Sequence, residues 1–358
     1  MKLRNLIDFN DMTLEEWEEL RRLAFRIKKA PAEYRDVCKG RIMATLFYEP
    51  STRTQMSFQT AMMRLGGKVI GFSDPSSSSV AKGETLRDTV KIASGYADIV
   101  VIRHPIEGAA YASSLYSHTP VINAGDGGHL HPTQTLTDLM TISELKGKTS
   151  GLTVGCCGDL LNGRTVHSLL RALMRFEGNR FVLISTPELK LPTYVTEELT
   201  ANGCEIKEVS TLEECIGELD VLYMTRIQRE RFKSPEEYAR QAGVYRLTSD
   251  KMLLAKDNLA VLHPLPKVDE IAYELDDDPR CQYFEQAENG MFIRMALVAQ
   301  LIGAERIGRA PAYPLPEKSF CDNPRCISNH EKYLPKLLKV LDGETRCQYC
   351  DHAMRERK

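Results

Sequence analysis

Three hydroxyls and one guanidinium fall in a single turn of this chain, Ser51-Thr52-Arg53-Thr54. The apolar run from Arg41 to Phe47 just before it reads as a buried strand, and the residues from Gln55 to Leu65 just after it are apolar at helical spacing. Pro50 and Ser51 suit the entry to that helix, and Gly66-Gly67 suits its exit. Unpaired backbone N–H groups at a helix N-terminus then converge with the hydroxyls and the guanidinium, a combination that favours a doubly charged oxyanion such as phosphate. The plainer reading is an ordinary N-cap with surplus hydroxyls, because Ser and Thr are common caps.

Further polar residues follow at strand ends. A polar, Ser- and Gly-rich stretch from Ser73 to Thr85 reads as a mobile loop whose Lys82, with a loop serine, can swing onto an anion; a solvated linker is the alternative. Arg103 ends the strand Asp98 to Ile102, at the carboxyl edge where open α/β sheets bind ligands. His131 and Gln134 stand at the start of a helix that Pro132 opens and that runs to about Leu145. His129 and His131 lack a nearby third ligand, so they are not read as a metal pair. Arg164 and Arg226 follow two strands of the second half, an arrangement that suits bidentate capture of carboxylates; each alone would be an ordinary surface charge. Gly158 and Gly163 lack the spacing of a dinucleotide fingerprint.

The elements that must position these residues alternate along the chain. A capping box at Thr13 and Glu16 opens an amphipathic helix to about Lys29 with Trp17 on its packing face. Strands are expected at 41–47, 68–72, 98–102, 121–124, 152–157, 181–185, 220–224 and 258–262, with helices at 164–176 and near 193–201. Repeated β and α segments at this spacing predict an α/β fold of two doubly wound parallel-sheet domains. Residues 286–302 read as a long helix, apolar all round beyond Gly290 and therefore buried, returning to brace both domains. Cys156 and Cys157 lie in an apolar strand and read as inert core.

Six of the ten cysteines are scattered, but Cys321, Cys326, Cys347 and Cys350 form two close pairs about twenty residues apart near the C-terminus, after a Pro-rich linker. That spacing predicts a structural zinc site. With 42% hydrophobic residues in 358 there is material for two cores, and the net charge of −2 excludes a generally basic, nucleic-acid-coating protein. No window approaches a membrane span, no signal-peptide core opens the chain, and a cytoplasmic setting without membrane or nucleic-acid partners is expected. The rival from another class is a zinc-ribbon interaction protein with a degenerate body, pointed to by Arg346, Arg355, Arg357 and Lys358 in the tail.

Ser51 to Thr54, Lys82-Gly83-Glu84-Thr85, Arg103-His104-Pro105, His131 to Gln134, Gly158 to His167, Met224 to Gln228 and His263 to Pro266 together resemble the catalytic chains of the aspartate transcarbamoylase family, over residues 1–304. The resemblance implies carbamoyl transfer from carbamoyl phosphate to L-aspartate, in pyrimidine synthesis, by a homotrimer or multiple of trimers whose Lys82 loop serves a neighbouring active site. It implies phosphate on Ser51, Thr52, Arg53, Thr54 and Arg103, with Lys82 and Ser78 or Ser79 joining. It further implies carbonyl polarisation by Thr54, Arg103 and His131, amide orientation by Gln134 with the backbone carbonyls of Pro264 and Leu265, and aspartate carboxylates on Arg164, Arg226 and Gln228, with Lys82 and Leu265 adjoining. A cis Leu265-Pro266 bond is implied too. Ornithine transcarbamoylase shares the phosphate half and is the nearest rival; Lys267 stands where Arg is usual. The words Cys321-Asp322-Asn323-Pro324-Arg325-Cys326-Ile327-Ser328 resemble the zinc domain of the family's separate regulatory chain, so the tail is expected to make a zinc-stabilised contact within or between subunits, with no response to nucleotides. The implied layout is a carbamoyl-phosphate domain 1–130, an interdomain helix 131–148, an aspartate domain 149–285, a helix 286–303 packing back, a linker 304–320 and the zinc tail 321–358.

Overall fold

A computed structural model describes residues 4–227, 232, 234, 236, 238, 241, 244–303, 319–341 and 344–356. It divides into two compact units, Met1–Thr133 with Met291–Lys358, and Gln134–Gly290.

The first unit is built on a four-stranded parallel sheet: β1 Ile42–Phe47, β2 Lys68–Phe72, β3 Ile99–His104 and β4 Val121–Asp126, in the order β2-β1-β3-β4. The two central strands and β4 are buried along almost their whole length, as apolar strands covered on both faces must be. β2, starting at Lys68, is the half-exposed edge. Helix α1, Leu14–Lys29, carries the expected capping box, and Trp17 is core. Helix α2, Thr52–Arg64, links β1 to β2. Helix α3, Leu86–Tyr96, precedes β3, and the short α4, Ala109–Ser114, precedes β4. The chain winds outward from β1 to β2, then crosses back to the other side of β1 as β3. The carboxyl ends of β1 and β3 therefore flank a topological switch point, where α/β sheets bind ligands.

The stretch 73–85, expected as a mobile loop, folds locally into two short helical turns, Pro75–Ser77 and Ser79–Lys82. Asp74 accepts from Ser76 N–H at 2.8 Å and Ser78 Oγ accepts from Val80 N–H at 3.3 Å. Short polar side chains that bond their own backbone thus supply structure where no apolar face exists.

The second unit holds a five-stranded parallel sheet in the order β7-β6-β5-β8-β9, comprising β5 Thr153–Cys157, β6 Arg180–Ile184, β7 Glu205–Val209, β8 Val221–Met224 and β9 Ala260–Leu262. Helix α5, Pro132–Lys146, leads into it; α6, Arg164–Leu173, and α7, Thr193–Ala201, cross over between strands. Sequence reading passes over β7, since Glu205-Ile206-Lys207-Glu208-Val209 is an edge strand with mostly exposed residues and little apolar signal. Cys156 and Cys157 are fully buried, with burial pushing the Cys156 thiol up to about 12. The winding reverses between β5 and β8, the switch point of this sheet.

The long helix Tyr283–Leu301 is buried from Met291 to Val298, as its all-round apolarity predicts. Its early part belongs to the second unit and its late part to the first. In the second unit Asn289 donates to Glu144 Oε2 at 2.8 Å; in the first, Arg294 Nη1 donates to Ser57 Oγ at 2.8 Å.

The tail forms two small antiparallel ribbons, β10 Ser319–Phe320 with β13 Arg355–Glu356, and β11 Leu338–Leu341 with β12 Glu344–Cys347. Ile327, Leu334, Leu337 and Tyr349 share one apolar cluster with Ala109, Ala110 and Ala112 of α4. Burying each Leu- or Ile-sized side chain contributes about 1.5–3 kcal/mol, so this contact seats the tail on the first unit of its own chain. Glu107, nearly fully buried, fixes the register: its carboxylate pairs with Arg325 Nε at 3.1 Å and accepts from Asn323 Nδ2 at 2.7 Å, and its carbonyl accepts from Ile327 N–H at 2.9 Å. Glu331 and the Tyr333 hydroxyl accept from the Leu86 and Arg87 N–H groups at the start of α3, at 3.1 and 2.8 Å. Those are donors a helix cannot satisfy itself.

Candidate active site and metal centre

β1 and β3 pair with Phe47 opposite Arg103, and Tyr48 N–H donates to the Arg103 carbonyl at 2.8 Å. This register brings the turn at Ser51–Thr54 alongside Arg103. Ser51 is the N-cap of α2, yet its hydroxyl makes no capping bond, so the plain N-cap reading does not account for it. Thr54 is buried on the first turn, and burial lowers the Arg53 guanidinium pKa, the signature of a cation partly stripped of water.

Arg103 is itself buried, and its contacts aim it. Nη1 donates to the Ala124 carbonyl at 3.1 Å, and Nη2 pairs with Glu49 Oε1 at 2.7 Å. Nη1 also lies 3.4 Å from His131 Nε2. A guanidinium cannot accept, so His131 Nε2 is the acceptor and the imidazole keeps its proton on Nδ1. Gly125 makes this approach feasible: at φ 121° a Cβ there would stand 2.9 Å from Arg103 Nη1. The result is a fixed cation and the His131 imidazole side by side at the end of β3, beside the strand β1 that leads into the N-terminus of α2. Such a set of preorganised donors stabilises negative charge growing on an oxygen.

In the second unit, Arg164 opens α6 after β5 and Arg226 follows β8, so the two flank the switch point. Thr225 N–H donates to the Cys157 carbonyl at 2.9 Å, and a Cβ on Gly158 would fall 2.4 Å from the Thr225 carbonyl oxygen. Only glycine lets the two arginine-bearing loops approach this closely. Gln228 lies outside the described residues.

Leu265-Pro266 is cis, as the resemblance implies. The turn before it is held by His263, whose Nδ1 accepts from Leu265 N–H at 2.8 Å while Nε2 lies 2.6 Å from Glu270 Oε1. Lys267 makes an ion pair with Asp276 at 3.1 Å and lies 4.2 Å from the Tyr273 ring centroid, an anchor that needs no planar fork. Gln134 stands on the first turn of α5 and donates to Asp138 Oδ1 at 2.8 Å. Lys82 is exposed and its side chain makes no hydrogen bond or ion pair among the described residues. Ser79 is exposed, whereas Ser78 Oγ caps the turn and donates to the Pro75 carbonyl at 2.8 Å.

In the tail, the sulfurs of Cys321, Cys326, Cys347 and Cys350 all lie within 4.8 Å of one another and are buried. The 321–350 and 326–347 separations are 3.6 and 3.7 Å, close to the roughly 3.8 Å expected between thiolates at the corners of a zinc tetrahedron. All four are free of disulfides. A four-sulfur, closed site fits structural zinc, which cross-links the two ribbons. His129, by contrast, contacts carboxylates: Nδ1 is 3.2 Å from Asp126 and Nε2 is 3.2 Å from Asp351.

Residues 4–144 match the family described as aspartate/ornithine carbamoyltransferase, carbamoyl-P binding domain, and residues 150–301 match its Asp/Orn binding domain. The chain belongs to the aspartate/ornithine carbamoyltransferase family. Residues 320–358 match the metal binding domain of the aspartate carbamoyltransferase regulatory chain. The chain is 58% identical over 304 residues to an aspartate carbamoyltransferase catalytic subunit of Clostridium perfringens, covering 85% of this chain and 99% of the relative. It is 59% identical over 302 residues to that of Clostridium novyi, covering 84% and 99%. The catalytic subunit of M. jannaschii aspartate transcarbamoylase superposes with a TM-score of 0.80 at 46% identity, covering 84% of this chain and 98% of that one. The Trypanosoma cruzi enzyme in complex with carbamoyl phosphate and aspartate does so with 0.77 at 36% identity, covering 83% and 95%.

Glu49 lies in the motif itself, yet nothing in the local sequence marks it as the partner of Arg103, and His129 reads from sequence only as a metal candidate. The signal for His129 was its spacing from Asp126; its second partner, Asp351, lies over two hundred residues away and has no local signature.

Proposed function

We propose that this protein transfers the carbamoyl group of carbamoyl phosphate to the α-amine of L-aspartate, giving N-carbamoyl-L-aspartate and phosphate, a step of pyrimidine synthesis in the cytoplasm. The observation that carries the reading is the aimed Arg103, held by Glu49 and the Ala124 carbonyl beside His131, next to a helix N-terminus whose N-cap hydroxyl makes no capping bond.

The phosphate sits on Ser51, Thr52, Arg53, Thr54 and Arg103. Thr54, Arg103 and His131 donate toward the carbonyl oxygen, and Gln134 with the Pro264 and Leu265 carbonyls meets the carbamoyl amide. Arg164, Arg226 and Gln228 take the carboxylates of aspartate. The neutral amine forms a C–N bond to the carbamoyl carbon, and charge rises on the carbonyl oxygen where the donors are already in place. The C–O bond to phosphorus-bearing oxygen then breaks, its electron pair leaving with phosphate, which takes up the amine's proton. Fixing both substrates supplies proximity. Exposed Lys82, with Ser78 or Ser79, serves a neighbouring copy's site in a homotrimer, and the tail gives no response to nucleotides.

The test is product formation from carbamoyl phosphate with L-aspartate and, in parallel, with L-ornithine. Turnover with aspartate alone is expected. Turnover with ornithine, or with neither amine, overturns the reading, the latter in favour of a scaffold.

A further inference from the structure

Asp138 lies one helical turn after Gln134 on α5 and is fully buried. Its Oδ1 accepts from Gln134 Nε2 at 2.8 Å and from Gln286 Nε2 at 2.6 Å, and its Oδ2 accepts from the Tyr223 hydroxyl at 3.0 Å. All three of these bonds are accepted by the carboxylate, so both its oxygens act as acceptors. An ionised carboxylate can only accept, so both glutamine amides must turn their NH2 groups toward it and their oxygens away. For Gln286 the consequence is seen directly: its Oε1 accepts from His263 N–H at 2.8 Å, at the residue that opens the His263–Leu265 turn. For Gln134 it leaves the amide oxygen pointing away from Asp138 as an acceptor.

We propose that Asp138 is a positioning residue that sets the polarity of the carbamoyl pocket. It holds Gln134 by its NH2 so that Oε1 receives a hydrogen from the carbamoyl NH2. Through Gln286 it also holds the backbone whose Pro264 and Leu265 carbonyls receive the other. The inference rests on the reading that Gln134 and this turn meet the carbamoyl group. Its consequence is specificity for an amide over a methyl group of the same size. Acetyl phosphate, which has no N–H to give, leaves these acceptors unpaired, and sites built to bond a substrate N–H reject analogues that lack it.

The test compares KM and kcat for carbamoyl phosphate with the inhibition constant of acetyl phosphate as its competitor, in wild type, Asp138→Leu and Tyr223→Phe. Loss of Asp138 frees Gln134 to turn its amide, so the preference for carbamoyl over acetyl phosphate should fall at least tenfold. Tyr223→Phe, which removes the donor on Oδ2 and leaves the bond that holds Gln134, should keep that preference. A folded Asp138→Leu protein with the full preference, whatever its turnover, overturns the role, as does an equal collapse in Tyr223→Phe.

Gln134→Glu reads the same geometry without removing the carboxylate of Asp138. While protonated, the introduced carboxyl group donates to Asp138 and still presents a carbonyl oxygen, so it mimics the amide; once ionised, it faces Asp138 as a like charge. The kcat/KM of this variant should fall at least tenfold as pH rises through an inflection well above the ordinary carboxylate range near 4. Tyr223, pushed well above its ordinary value first by burial, and Cys156, at about 12, both feel Asp138, and neither titrates in that range. A variant whose pH profile carries no inflection beyond those of wild type overturns the proposal. Failure of wild type to use carbamoyl phosphate would instead remove the reading beneath it.

Discussion

His129 Nε2 lies 3.2 Å from Asp351 Oδ2, joining the loop that carries His131 to the residue immediately after the last zinc-site cysteine. Nδ1 of the same ring contacts Asp126, which in turn accepts from Leu130 N–H at 3.0 Å and Gly108 N–H at 2.8 Å. The metal-site tail and the loop before His131 are thus parts of one packed assembly.

Metal removal should therefore reach beyond the tail. Stripping zinc with a chelator, or replacing Cys350 with Ser, is expected to abolish zinc content and lower the thermal midpoint of the first unit. Metal binding supplies folding energy on the order of 10 kcal/mol in small zinc domains. Zinc analysis beside a thermal melt checks this; an unchanged melt in a metal-free protein would refute it. His129→Ala should give a smaller destabilisation with zinc retained.

Arg103→Ala should lower kcat by about 10²–10³, the usual effect of deleting one preorganised donor to a developing oxyanion. It also strips Glu49 of its cation, so Arg103→Met with Glu49→Gln should recover stability and not activity. Steady-state rates and melts on the two variants separate these contributions.

Arg226→Ala and Arg164→Ala should each raise KM for aspartate roughly 10- to 100-fold. That corresponds to a lost charge-assisted hydrogen bond of about 1.5–3 kcal/mol. Affinity for carbamoyl phosphate, read by protection against thermal unfolding, should stay close to wild type, because its residues stand on other loops.

His104 predicts an acid limit to stability. Burial, only partly opposed by Asp126, drops its pKa to about 4, and its Nδ1 accepts from Ile106 N–H at 3.1 Å, a bond that protonation there would break. A folded pKa below the unfolded value of about 6.5 means the contribution is fully present above 6.5 and lost as pH falls toward 4. The loss amounts to about 3 kcal/mol. Thermal midpoints of His104→Gln should fall less steeply than wild type over that window; parallel slopes would contradict the assignment.

Much of the architecture is local enough to read from order alone. The strand-turn-helix at Phe47–Thr54 announces itself because an apolar run, a capping group and helical spacing agree. The cysteine pairs do so because zinc accepts few spacings. β7 escapes because an exposed edge strand has no buried face to write into the sequence. The turns at 75–82 escape because side-chain to backbone bonds, rather than apolar periodicity, build them.

What the chain determines by itself is chemistry type: hydroxyls and a cation at a helix start, arginines after strands, four thiols at metal spacing. Which of these meet is decided by tertiary structure. The order β2-β1-β3-β4 places Arg103 beside the Ser51 turn, and β5 beside β8 places Arg164 and Arg226 at one edge. Asp138 finds Gln286 across 148 positions of sequence, and Asp351 finds His129 across more than two hundred. Such pairings follow from strand order and core packing, and a buried carboxylate is tolerated only where the fold brings it donors.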